Sequence, residues 1–97
     1  MYLVYPGIIS KPAASSELWT PANASPWGLG GSVWSADLDK AYALAEKMDA
    51  GTIWINKHAE LDPAIPFGGA KQSGLGNELG EEGLAEFTQL KVINMAR

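Results

Sequence analysis

The sequence predicts an α/β fold organised around one strand–helix–strand unit. Three observations predict it: Leu29–Trp34 reads as a strand, residues 36–50 as an amphipathic helix, and Thr52–Asn56 as a second strand. Two strands joined through one helix by such short connections are expected to lie parallel in one sheet, with a right-handed crossover. The 97 residues suffice for one small domain. A chain of that size buries a modest share of its unfolded surface, so marginal stability is expected unless it associates.

Taken in order, Met1–Ile9 is apolar and is expected to form a short strand on one side or the other of Pro6-Gly7. Ser10–Pro21 is rich in Ser, Ala and Pro, which favours an extended or disordered connection. Residues 1–21 therefore read as an N-terminal extension unrelated to residues 22–97. Asn23–Gly28 is turn chemistry, because Ser25 precedes Pro26 and is pushed out of the helical region. Within Leu29–Trp34, Gly30 and Gly31 let another backbone or side chain approach closely.

Ser35 is expected to cap the helix, with Asp37 and Asp39 at the positive end of its dipole. Leu38, Ala41, Tyr42, Ala45 and Met48 fall on one apolar stripe, and Gly51 stands where a C′ glycine would end the helix. Thr52–Asn56 is β-branched and aromatic on both faces. Lys57–Gly76 is punctuated by prolines and glycines, and a loop that long in a small domain is usually functional or mobile. Glu78–Phe87 is expected to form a short helix with Leu79, Leu84 and Phe87 on its apolar side. Thr88–Met95 has strand character.

The formal net charge is −4, from eleven acidic and seven basic residues without a basic cluster. That argues against electrostatic binding to nucleic acid or an anionic membrane. No run approaches the ~20 apolar residues of a membrane helix, and Met1–Ile9 has no basic flank of the signal-peptide kind. A soluble, cytoplasmic protein is expected. With no cysteine, the chain has neither a disulfide framework nor a thiolate nucleophile.

Several motifs invite chemistry and mostly lose to plainer readings. Gly74-Leu75-Gly76-Asn77-Glu78-Leu79-Gly80 has near-dinucleotide spacing, yet a Pro/Gly loop precedes it where the fingerprint needs a strand, so it reads as turns. Lys71 does not directly precede Ser or Thr at a helix start, which rejects a P-loop. His58 is the one histidine. A metal site would need Glu60 and Asp62 beside it, and it reads instead as a loop residue. Glu78, Glu81, Glu82 and Glu86 suit a solvated helix face. Trp27, Trp34 and Trp54 read as core.

Four blocks carry more. Asn23–Trp34 (NASPWGLGGSVW), Asp37–Asn56 ending in AGTIWIN, Asp62–Gly76 (DPAIPFGGAKQSGLG) and Glu78–Lys91 (ELGEEGLAEFTQLK) stand in this order. In order and spacing they resemble the C-terminal stretch of the aldehyde dehydrogenase superfamily over residues ~22–94. The resemblance implies a partial catalytic domain in which Asn56, Pro66, Phe67, Gly68 and Gly69 border the substrate tunnel, with Phe67 lining it. It implies that Lys71, Ser73 and Gly74 shape the loop, and that Glu78 matches an acidic position linked in parts of the family to proton movement. It implies that Thr88–Asn94 is an oligomerisation-type strand. The family's cysteine, its general-base glutamate and its NAD or NADP domain lie outside the matched blocks.

No catalytic residue, metal or cofactor is therefore expected for this chain alone. The leading expectation is an inactive, self-associating segment with exposed strand edges. Two others stand beside it: one chain of a complementing dehydrogenase, and a small-ligand-binding or oligomerisation module around Phe67.

Overall fold

The computed structural model describes residues 2–5, 8–10 and 19–96, with side chains for residues 20–96. In chain order the elements are strand β1 (Tyr2–Tyr5), strand β2 (Ile8–Ser10), helix α1 (Trp19–Ala24), strand β3 (Trp27–Gly28), strand β4 (Gly30–Trp34), helix α2 (Leu38–Ala45), strand β5 (Thr52–Ile55), strands β6 (Phe67–Gly68), β7 (Ala70–Lys71) and β8 (Asn77–Glu78), and helix α3 (Gly80–Ala85). The main sheet runs β2-β1-β4-β5, and β3 with β7 and β6 with β8 form two short ladders.

The expected strand–helix–strand unit is present. β4 and β5 pair in parallel from Gly30↔Thr52 to Val33↔Ile55, with α2 between them in sequence. Alternation divides the sheet's two faces. Val33 joins Ala22, Ala41, Leu44 and Met48 in the apolar core, with Ile53 and Ile55 packed against it. Ser32 and Trp54 stand side by side in the ladder and belong to the other face. There Trp54 lies over Gly30, where an added Cβ would come within 2.8 Å of its ring.

The helix differs from expectation at both ends. Asp37, not Ser35, is the N-cap, and its Oδ1 accepts the Lys40 N–H at 3.0 Å. Ser35 Oγ stands one step earlier and accepts the Asp37 N–H. At the other end, Lys47 and Met48 donate to Leu44 and Ala45, tightening the last turn so that the helix stops well before Gly51. Gly51 serves a close approach instead: its N–H donates to the Gly28 carbonyl, and an added Cβ would collide with the Gly68 carbonyl.

The apolar stripe is rotated as well. Ala41, Leu44 and Met48 are buried, whereas Leu38 and Tyr42 are each 61% exposed. Leu44, three after Ala41 and four before Met48, is the residue that faces the sheet. Of the three tryptophans expected in the core, only Trp54 is buried. Trp27 sits in the two-residue ladder where a turn was expected, and Trp34 ends its strand, so both have open sides.

Strands flank Pro6-Gly7 on both sides, those two residues lying outside the described ones, and β1 pairs antiparallel with β4. Residues 11–18 of the expected linker also lie outside the described residues, and Trp19–Pro21 are helical rather than extended. The short third helix buries Gly83 rather than Leu84 or Phe87. Thr88–Met95, expected as a strand, has no regular structure among the described residues, and Leu90, Val92, Ile93 and Met95 are exposed. A strand needs a neighbour for its N–H and C=O groups, and no described element lies alongside.

Candidate functional site

The site grows out of the far side of the sheet. After β5 the chain makes the loop 57–66 and returns as β6, where Phe67 pairs with Glu78 and Gly68 with Asn77. The Phe67 ring stands 6.4 Å from the Trp54 ring, centroid to centroid. Phe67 faces two cavities. One, of about 350 Å³, is lined by Leu29, Gly69, Leu75, Glu78 and Glu86 among others. The second, of about 300 Å³, has an apolar wall of Ile53, Trp54, Leu61, Ile65 and Pro66, with Lys57, Glu60 and Asp62 among its polar lining.

The residues after Phe67 anchor the site to the rest of the fold. Ser73 Oγ accepts the Gly28 N–H at 2.8 Å, and Gln72 donates its N–H to the Pro26 carbonyl. The Lys71 ammonium donates to the carbonyls of Asn23 and Ser25 at 2.9 and 3.1 Å and lies 3.4 Å from Asp49. Asn23 completes the seam: its Nδ2 donates to the Lys47 carbonyl and its Oδ1 accepts the Asp49 N–H. Lys71 and Ser73 thus fasten the loop to the 23–28 and 47–49 segments.

The predicted site residues do not all converge. Pro66, Phe67, Gly68 and Gly69 are contiguous and line one or both cavities, and Glu78 faces the larger. Asn56 lines neither. Its backbone is left-handed, at φ 54°, and its amide clasps Ser35, accepting from the N–H and donating to the C=O at 2.8 Å each. Gly74, Gly76 and Gly80 all have positive φ, which makes the glycine run a set of turns.

Sequence reasoning missed Ser32, which is fully buried. Its Oγ is hydrogen-bonded to His58 Nδ1, and the His58 ring meets Trp54 edge-on at 5.5 Å. The signal was present as one hydroxyl amid small and apolar neighbours in a central strand. Asn23 was legible only as a turn residue, and the residues that it joins lie 24 and 26 positions away. The resolved pKa shifts lie outside both cavities: Asp37 is lowered mainly by its hydrogen bond with Lys40, and Lys40 is raised by the same contact. Among the described residues no group of three His or carboxylate side chains could hold a metal ion.

The sequence profile of the aldehyde dehydrogenase family matches residues 8–93. The chain belongs to this family. The match reaches further back than Ala22, where the motifs become legible. Succinate-semialdehyde dehydrogenase [NADP(+)] of Deinococcus radiodurans is 50% identical over 72 residues, covering 74% of this chain and 15% of the relative. Rat cytosolic aldehyde dehydrogenase 1 is 41% identical over 87 residues, 90% of this chain and 17% of the relative.

Among solved structures, the betaine aldehyde dehydrogenase of Staphylococcus aureus in complex with NAD+ superposes with a TM-score of 0.74 at 46% identity, covering 76% of this chain and 15% of that one. An NAD-dependent aldehyde dehydrogenase from Sinorhizobium meliloti gives 0.76 at 42%, covering 80% and 16%. The chain spans about one-sixth of the length of these relatives. Its α/β fold is that of a partial aldehyde dehydrogenase domain. No helix among the described residues is long and apolar enough to cross a membrane.

Proposed function

We propose that this chain contributes the Phe67 wall of an aldehyde-binding site to an NAD(P)-dependent aldehyde dehydrogenase architecture and does not oxidise aldehydes by itself. The observation that carries the reading is Phe67. A rigid aromatic followed by Gly68-Gly69 stands 6.4 Å from the Trp54 ring and lines two cavities, inside the PFGG block that falls within the family match. Apolar walls with a few polar groups are what a small carbonyl compound needs.

The missing chemistry supports the second half. Aldehyde oxidation through a covalent intermediate needs an activated nucleophile, and the sequence has no cysteine. Nor do its residues suit a dinucleotide: α3 begins at Leu79-Gly80 without a side-chain cap, and Glu78 and Glu86 would face the pyrophosphate in the larger cavity. Nucleophile, base and nicotinamide site would come from another polypeptide segment. Glu78 pairs with Phe67 across the β6–β8 ladder and lines only the larger cavity, so a proton-relay role for it would require the compound to bind on that side.

The exposed Leu90, Val92, Ile93 and Met95 support self-association of the C-terminal segment, or its pairing with a complementing dehydrogenase chain. A cytoplasmic location rests on the name of the rat relative. Activity is tested by aldehyde-dependent reduction of NAD and NADP. The purified chain alone should give no rate above the blank, and a rate that saturates with aldehyde and scales with protein would overturn the reading. Light scattering coupled to size exclusion over a concentration range should show a dimer or larger species. A concentration-independent monomer would remove self-association from the account.

A further inference from the structure

The loop 57–66 forms one side of the ~300 Å³ cavity beside Phe67, supplying Lys57, Glu60, Leu61, Asp62, Ile65 and Pro66. It contains no helix or strand, so something must hold it against the sheet. We infer that Ser32 and His58 are positioning residues that latch this loop and thereby set the shape of the cavity. The inference rests on the reading of Phe67 as a wall of the aldehyde-binding site, takes the ~300 Å³ side of that wall as the one occupied, and adds the residues that would fix its dimensions.

Three observations carry it. Ser32 is fully buried in the central strand β4, yet it is a hydroxyl. A buried hydroxyl without a partner is costly, and small apolar residues would serve the strand equally well if packing were all. Its partner is a residue of the loop, 26 positions away: the Ser32 Oγ and His58 Nδ1 are hydrogen-bonded. Second, the His58 ring rests edge-on against Trp54 at 5.5 Å, the same indole that faces Phe67. Third, Trp54 Nε1 donates to the Glu60 carbonyl at 2.9 Å, so the loop is tied down two residues further on. The two ties share one support. Ser32 and Trp54 are direct neighbours in the β4–β5 ladder and belong to the same face of the sheet. Moving His58 therefore moves the indole that backs Phe67.

The latch is specific in chemistry. A neutral imidazole accepts the Ser32 hydroxyl proton at Nδ1, leaving Nε2 protonated, whereas a protonated ring donates to the Ser32 oxygen. An asparagine at position 58 places an amide nitrogen where Nδ1 stands and can keep the hydrogen bond without the ring. A phenylalanine keeps the ring and loses the bond. A purely packing role would rank these two variants the opposite way.

The test measures amide hydrogen exchange of the full chain in wild type, Ser32→Ala, His58→Phe and His58→Asn. Losing one net hydrogen bond should speed exchange of the 57–66 amides by about two- to tenfold in Ser32→Ala and His58→Phe. The α2 amides should be unaffected, and His58→Asn should stay near wild type. In parallel, fluorine NMR of 4-fluorophenylacetate, a carboxylate product analogue, reports occupancy of the cavity. Binding should weaken several-fold in Ser32→Ala and His58→Phe and recover in His58→Asn. Unchanged loop exchange in Ser32→Ala, or faster exchange in His58→Asn than in His58→Phe, would overturn the latch. If no probe binds wild type while the exchange pattern holds, the binding-site reading fails and the latch stands.

Discussion

Replacing Gly51 with alanine should dislodge the Phe67 segment, and the structure sets the size of the effect. Gly51 joins α2's outgoing turn to β5 and lies directly under β6. A Cβ built there falls 2.7 Å from the Gly68 carbonyl carbon and 3.2 Å from the Gly69 Cα, with the Gly68 oxygen nearer still. The obstacle is the Gly68–Gly69 backbone, so no flexible side chain can swing away. Relief requires β6 to retreat by more than ~1 Å, across a ladder of two residue pairs with β8.

Overpacking of this kind costs about 1–3 kcal/mol, and backbone obstruction places Gly51→Ala toward the upper end. For a domain this small that corresponds to a melting temperature lowered by roughly 10–20 °C. Thermal denaturation followed by circular dichroism gives the number, and NMR shifts of the Phe67 ring report where the strain goes. Phe67 signals should move far more than those of Val33, on the other face of the sheet. An unchanged melting temperature with unmoved Phe67 resonances would refute the reasoning, because no close approach would then exist at Gly51.

Other outcomes follow from the same geometry. Val33→Ala removes two methyl groups from a fully buried position and should cost about 2 kcal/mol in urea unfolding. Lys71→Met loses the hydrogen bonds to Asn23 and Ser25 carbonyls. It should cost about 1–2 kcal/mol with little salt dependence, since the Asp49 end of the ion pair is largely exposed and adds little. Asp37 is held below its ordinary value of 3.8 by its hydrogen bonds with Lys40. A depressed folded-state pKa stabilises above the unfolded value and is lost as pH falls through the folded one. Unfolding profiles should therefore show a stability step below about pH 4 that vanishes in Asp37→Ala.

The strand–helix–strand unit was legible because its signals are local: turn chemistry before Leu29–Trp34, polar and acidic residues over Ser35–Asp39 where a helix begins, and β-branched residues after Gly51. Its details were not, because they depend on partners distant in sequence. Leu44 displaced Leu38 and Tyr42 from the buried stripe only once the sheet fixed which face of α2 was covered. Gly51 looked like a helix stop and proved to be a point of contact with Gly68, seventeen residues on in a different segment. Asn56 joins its amide to the backbone of Ser35, 21 residues back, a pairing that no local signal announced.

The PFGG block was legible as a pattern, and Pro66–Gly69 do stand together. What holds them there was not, since Asn23, Ser32 and Trp54 act through contacts no spacing rule encodes. Thr88–Met95 failed for the complementary reason. Its propensity is that of a strand, but a strand forms only against a paired neighbour, and Thr88–Met95 pairs with no described strand.

An aldehyde bound against the Phe67 wall would feel the loss of that ring in its kinetics. The most direct measurement places residues 22–94 into the corresponding stretch of the Staphylococcus aureus betaine aldehyde dehydrogenase and compares the chimera with its Phe67→Ala form in steady-state kinetics. Loss of an apolar wall present in both bound states should raise KM about five- to fiftyfold with a smaller change in kcat. A folded, NAD-binding chimera whose KM and kcat are indifferent to Phe67→Ala would contradict the account.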